Sequence, residues 1–214
     1  MFITQHPQRT LQQTHEDVPI DHYDKGIKNN IFQKIWHEKR FKEIDKEITP
    51  VSDKVLDIGC HSGLFTKRIQ EKTLSKQIYG IDISLKAIAH ARQRIPGGNF
   101  KVGNIHKLPF KEDAFGAIFC LEVLEHVENP SQVLSEIYRV LKPKGYGVIL
   151  IPTNNLLFRT IWFIWNRIYP VWDHAHVQDF RNDSLERLIK QANLRIVSVR
   201  TFNFGMLKII KFSK

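Results

Sequence analysis

Cysteine is scarce in this chain: 214 residues hold two, Cys60 and Cys120, and no C-x-x-C pair. That excludes a disulfide framework and a paired-thiolate zinc site, and it points to reduced thiols in a cytosolic setting. The G-x-G-x-x-G dinucleotide fingerprint is missing, and so is the G-x-x-x-x-G-K-[ST] phosphate loop. No apolar core of signal-peptide length lies in Met1–Asp17, a polar stretch rich in Gln, Thr and His that reads, through residue 20, as a flexible tail. Acids are the minority charge, 22 Asp+Glu against 32 Lys+Arg for a net +10, and from Lys190 onward there are six basic residues and no acid. A basic face suits anionic lipid or nucleic acid. With no RNA-binding motif or base-stacking platform, nucleic acid is the weaker partner.

What is present is organised around Val55-Leu56-Asp57-Ile58-Gly59-Cys60-His61-Ser62-Gly63. A short apolar strand enters a turn carrying two glycines, which reach backbone angles closed to other residues and let a ligand touch the main chain. A helix follows, pointing its unpaired N–H groups back at the turn. Asp57 stands two residues before the first glycine, and Asp82 ends the next strand, 82 − 59 = 23 residues beyond Gly59. An acid there suits the two hydroxyls of a ribose, so the site calls for a nucleoside.

These residues resemble the first motif of class I S-adenosylmethionine-dependent methyltransferases, including the methyltransferase type 11 group and the O-methyltransferases of ubiquinone biosynthesis. Four more stretches agree in order: Ile81-Asp82-Ile83-Ser84, Gly103-Asn104-Ile105-His106-Lys107-Leu108-Pro109-Phe110, Phe115–Val127 with its Leu124-Glu125-His126-Val127, and Leu141-Lys142-Pro143-Lys144-Gly145. The resemblance implies S-adenosylmethionine as cofactor, held by Asp57, Gly59, Cys60, His61, Gly63, Asp82, Ile83, Asn104, Ile105, Leu121 and Glu122. Four positions depart from the family pattern. His61 replaces a glycine and is expected to narrow the methionine end. Asn104 replaces an aspartate and is expected to accept from the adenine amino group with weaker binding. Gly116 replaces an aspartate, and Lys144 replaces a glycine.

From Pro50 the pattern alternates strands (54–58, 77–82, 99–104, 117–121, 146–151) with helices starting near Gly63, Ser84 and Asn129. After a helix at Asp183–Ala192, the strands Leu194–Phe202 and Met206–Phe212 are joined by a turn too short for anything but antiparallel neighbours. The expected fold is α/β: a three-layer, Rossmann-like, seven-stranded, mostly parallel sheet with an antiparallel C-terminal hairpin. Residues 21–50 read as N-terminal cap helices, with Tyr23, Trp36, His37 and Arg40 able to form a lid, and 51–214 as the methyltransferase domain.

Residues 156–172 form an aromatic insert. As a helix it would gather Arg159, Thr160, Asn166 and Arg167 within about 120°. Two arginines and a terminal proline argue against a membrane span. The insert reads either as a peripheral membrane contact with Trp162 and Trp165 at headgroup level, or as a surface packed on the protein or on a second copy. If a helix begins near Glu122, then Glu122, Glu125 and His126 share a face, and with His174 or His176 they make a candidate divalent-metal site. His126, His174 and His176 are the candidate bases for an oxygen acceptor. The expected activity is methyl transfer to a small, apolar or lipid-like acceptor. The alternatives are a nucleic-acid methyltransferase and a non-catalytic cofactor-binding regulatory subunit.

Overall fold

The computed structural model describes residues 22–161, 178–180 and 182–214, with side chains from residue 25 onward. At its centre is β1 (Val55–Ile58), buried along its whole length, as a strand covered on both faces must be. β2 (Ile78–Asp82), β3 (Asn99–Val102), β4 (Phe115–Leu121) and β5 (Leu141–Pro152) join it in parallel. β6 (Arg195–Phe202) and β7 (Leu207–Ser213) add an antiparallel hairpin on β5. The order across the seven strands is β3-β2-β1-β4-β5-β7-β6. The chain thus leaves one edge at β3 and re-enters beside β1 as β4, and open sheets bind ligands at such a reversal, beyond the strands' carboxyl ends.

Strand side chains alternate between two cores. Leu56, Ile58, Ile118 and Cys120 face α5 (Pro130–Val140) and α6 (Ser184–Gln191), meeting Val133, Leu134, Ile137, Leu185 and Ile189. Val55, Ile78, Ala117 and Phe119 face the other layer, meeting Ile44 of α2 (Ile31–Asp45), Ile69 of α3 (Leu64–Thr73) and Ile88 and Ala91 of α4 (Leu85–Arg94). Each fully buried large apolar side chain is worth roughly 1.5–3 kcal/mol. α1 (His22–Asn29) precedes α2.

The helix starts follow local chemistry. Ser84 Oγ accepts from Ala87 N at 3.1 Å, and Asn129 Oδ1 accepts from Gln132 N at 3.1 Å with Pro130 in the first turn. Asn30 caps α2 by accepting from Phe32 N and Gln33 N. Three expectations are corrected. β3 stops at Val102, because Gly103-Asn104 turns away under Asp82. β5 begins at Leu141 rather than 146, with its register to β4 broken between Phe115 and Ala117 and Lys144 at φ 65. No helix begins near Glu122: that residue lies at φ 57, and a single 3₁₀ turn, Leu124–His126, follows it. Residues 156–161 are helical, with Phe158 turned into the protein and Leu156, Leu157 and Ile161 exposed. The rest of the aromatic insert, including Trp162 and Trp165, lies outside the described residues.

Candidate functional site

The loop after β1 is pinned to β2 by its own backbone: Gly59 N and Cys60 N both donate to Ile81 O, at 2.8 and 3.1 Å. Gly59 has φ 71, and a Cβ there would lie 2.3 Å from Val123 Cγ2 in the loop after β4. Only glycine lets the two loops touch. His61 follows at φ 44, a left-handed conformation that costs a non-glycine residue about 1 kcal/mol or more. Its N–H donates to Asp82 Oδ2 at 2.8 Å, which holds the loop in place.

Asp82, buried at the end of β2, also accepts from Ser84 N through Oδ1 at 2.9 Å. A carboxylate has about four acceptor positions, so two remain for a pair of hydroxyls. Asp57 is turned the other way. Its Oδ2 accepts from Thr66 Oγ1 at 2.6 Å, bracing β1 against α3. Burial, with the nearby Asp82 charge adding to it, pushes its carboxyl up to about 7. Cys60 presents only backbone to the loop. Its sulfur is buried beside Gly80, and burial raises its thiol well above the ordinary range, as it does for Cys120.

The remaining predicted cofactor residues follow the ends of neighbouring strands. Ile83 succeeds Asp82, Asn104 and Ile105 lie beyond β3, and Leu121 and Glu122 stand at the end of β4. The parallel sheet therefore brings Gly59–Gly63, Asp82, Asn104 and Glu122 to one edge. The side-chain oxygen of Asn104 is engaged locally, by His106 N and by His106 Nδ1, both at 2.9 Å. Its own loop thus takes up part of the acceptor capacity expected for an adenine.

Arg40, expected only as one member of a lid, has a more definite place. It sits on α2 with 3% exposure, pairs with Glu122 through Nη2, approaches His37 Nδ1 at 3.2 Å and stacks 4.9 Å from the Phe65 ring centroid. A cation that well covered at the mouth of a sheet needs an anion beside it. The sequence signal for its inward position is helical spacing from Ile44, and nothing local announces the partner.

That pairing bears on the expected metal centre. Glu122 is committed to Arg40. Glu125 is 2% exposed, and burial, partly opposed by its own backbone N–H and the Arg40 charge, pushes its carboxyl up to about 8. A carboxyl held protonated must give up that proton before it can bind a cation. Among the described residues no three acidic, histidine or cysteine side chains converge as a metal site would require. His174 and His176 lie outside the described residues, so the bases expected there are not placed. Gln178 does return over this turn: its N–H donates to Glu125 O at 2.9 Å, and Nε2 to Val127 O and Glu128 O, both at 3.1 Å.

Comparison with known proteins agrees with this geometry. Residues 56–149 match the model of a methyltransferase domain. The chain is 31% identical over 165 residues to a ubiquinone biosynthesis O-methyltransferase of Dechloromonas aromatica, covering 72% of this chain and 70% of that one. It is 36% identical over 122 residues to a demethylmenaquinone methyltransferase of Thermotoga maritima, covering 56% and 52% respectively. The chain thus spans about half the length of that second relative. Among solved structures, a possible histamine N-methyltransferase of Thermotoga maritima superposes with a TM-score of 0.70 at 20% identity, over 96% of this chain and 100% of the other. That likeness concerns the fold.

Proposed function

Because the chain belongs to the class I S-adenosylmethionine-dependent methyltransferases, we propose that it transfers a methyl group to the oxygen of a small, apolar acceptor of the kind a quinone precursor represents. The observation that carries the acceptor class is the pair of relatives named for ubiquinone and demethylmenaquinone.

S-adenosylmethionine supplies an electrophilic methyl group on a sulfonium, and the acceleration of such a transfer comes from alignment rather than from a side-chain nucleophile. Asp82 takes the ribose hydroxyls on its two remaining acceptor positions. The Gly59–Gly63 turn offers main chain to the amino-acid part. Ile83, Ile105 and Leu121 supply apolar contact for the base, which offsets the engagement of Asn104. Arg40 receives the methionine carboxylate, a role supported by its burial and by the anion it already holds. Glu122 faces the same cation and shares it with that carboxylate. His126, in the 3₁₀ turn at the same edge, is the base this reading assigns.

Calorimetric titration with S-adenosylmethionine, followed by transfer of labelled methyl into an apolar extract and, in parallel, into total RNA, tests the proposal. Binding with label appearing only in the apolar fraction is expected. Label in RNA overturns the acceptor class, and tight binding without turnover on either overturns the enzyme.

A further inference from the structure

α2 has little apolar grip on the sheet it covers. Only His37, Arg40 and Ile44 of the helix are buried, so Ile44, with half-buried Trp36, supplies its contact with the core. Phe41 leans sideways on Phe65 of α3, ring centroids 4.9 Å apart. What ties the helix to the strands is polar. Arg40, Glu43 and Ile44 stand one turn apart on the same side. Glu47 follows in the closing turn, its N–H donating to Ile44 O at 2.9 Å.

Two arginines anchor this side at separate strands. Arg40 pairs with Glu122 just beyond β4. Arg200, on β6, reaches the other way: Nε donates to Glu47 Oε1 at 2.7 Å, Nη1 to Glu43 Oε2 at 2.8 Å and Nη2 to Glu43 O at 3.3 Å. Ser198 Oγ adds a bond to Glu47 Oε2 at 2.9 Å, and Glu47 is buried. β5 and β7 lie between β4 and β6, so the anchors are three strand spacings apart, about 14 Å. At helical rise the chain advances about 10 Å between residues 40 and 47, a span that two arginine side chains extend to that width. β6 is itself fixed by its antiparallel ladder to β7, with Arg200 opposite Ile209.

The Arg200 side chain is 36% exposed, so water screens its ion pairs and their worth to stability is small. Their worth to geometry is larger. A guanidinium is a rigid plane of five donors, and one that meets two carboxylates and a carbonyl fixes direction as well as distance. We propose that Arg200 is a positioning residue for the cofactor: by holding Glu43 and Glu47 it sets where α2 lies on the sheet, and so where the Arg40 guanidinium stands at the mouth. It rests on the role proposed above for Arg40, receipt of the methionine carboxylate. Among the described residues Arg200 bonds only to Glu43 and Glu47, so its influence on the cofactor passes through α2.

Calorimetric titration with two ligands tests this: S-adenosylhomocysteine, and 5′-methylthioadenosine, which keeps the adenosine and lacks the carboxylate. Arg200→Leu is expected to bind S-adenosylhomocysteine about tenfold or more weakly, since a displacement of about 1 Å in a positioned group is costly. Arg200→Lys should recover only part, and both variants should bind 5′-methylthioadenosine as wild type does. Glu47→Gln, which keeps the side chain's volume, should show the same ligand-selective loss in smaller measure, and it serves where Arg200→Leu does not fold. In an Arg40→Ala background, Arg200→Leu should change S-adenosylhomocysteine affinity by less than about twofold, because the group it positions is gone. Wild-type affinity in both Arg200→Leu and Glu47→Gln overturns the proposal. So does an equal loss for both ligands, which makes Arg200 a structural clasp, and so does full additivity with Arg40→Ala. Unchanged affinity in Arg40→Ala alone instead removes the carboxylate role of Arg40, on which the inference rests.

Discussion

Asp82 works twice. One oxygen anchors the loop after β1 through His61 N–H, and the other caps the turn into α4 through Ser84 N–H. Replacing Asp82 by Ala should weaken S-adenosylmethionine binding by about 1.5–3 kcal/mol, the range for hydrogen bonds to a charged group. That is about 10- to 150-fold in dissociation constant. Asp82→Asn should fall between, since an amide keeps one acceptor oxygen and turns a donor toward N–H groups that already donate. Calorimetry showing wild-type affinity for Asp82→Ala would remove this residue from the site. The two aspartates of the motif region look alike in sequence and differ in kind: Asp57 braces Thr66, and Asp82 holds the loop after β1 and the turn into α4.

At the level of elements, α2 links the site to the rest of the fold. Its C-terminal half is held by Arg200 to Glu43 and by Asp45 to Arg68, with Glu47 just beyond it accepting from Arg200 at 2.7 Å, while Arg40 reaches Glu122. Arg40→Ala leaves Glu122 without that cation. Glu122 is about a quarter exposed, so water softens the loss, and a destabilisation of about 1–3 kcal/mol is expected rather than the cost of a fully buried orphan. The cofactor's affinity should fall about tenfold or more, and Arg40→Lys should restore only part, because an ammonium cannot make a bidentate bond. An Arg40→Ala protein with normal affinity would reduce the ion pair to a structural clasp. The turn after β4 supports a second expectation. With Glu122 committed to Arg40 and Glu125 buried and neutral, chelator treatment should leave both cofactor affinity and turnover unchanged. Activity lost to chelator and recovered with Mg²⁺ or Mn²⁺ would return these carboxylates to metal work.

Much of this is legible in the chain. Glycines 59 and 63, the Ser84 and Asn129 caps, and the strand–helix alternation are local signals, and local chemistry realises them. The ion pair of Arg40 is not legible, because it depends on Glu122, 82 residues away. Reading residues 21–50 as cap helices does not show that Ile31, Phe32 and Ile35 of α2 stand exposed, because periodicity reports which residues share a face, not which face meets the sheet. The helix expected at Glu122 fails for a related reason: three residues at helical spacing sit equally well in a 3₁₀ turn entered through a left-handed residue.

The whole molecule carries two opposed sets of carboxylates, and their balance sets its response to pH. Glu43, Asp53 and Glu136 are held below their usual range, chiefly by hydrogen bonds from Lys46, Lys142 and Arg139. They stabilise the fold above the unfolded values near 4, and that contribution disappears as pH falls further. Asp57 and Glu125 are raised by burial, to about 7 and about 8. Their contribution runs the other way: it is fully present below the unfolded values and is lost as pH rises through the folded ones, because the unfolded chain releases these protons first. Thermal stability should therefore decline between about pH 5 and pH 8.5. Each pH unit separating a group's folded and unfolded midpoints corresponds to about 1.4 kcal/mol, so each buried acid accounts for up to a few kcal/mol of that decline. The net charge of +10 works against the trend, since neutralising the histidines relieves self-repulsion as pH rises. Comparing wild type with Glu125→Gln at the same pH cancels that background, because the amide keeps the volume and cannot ionise. The variant should gain on wild type steadily from about pH 5 to pH 8.5 and keep a constant offset below about pH 4.5. Parallel melting curves across that window would mean that Glu125 ionises at its ordinary pH, with a charged partner beside it.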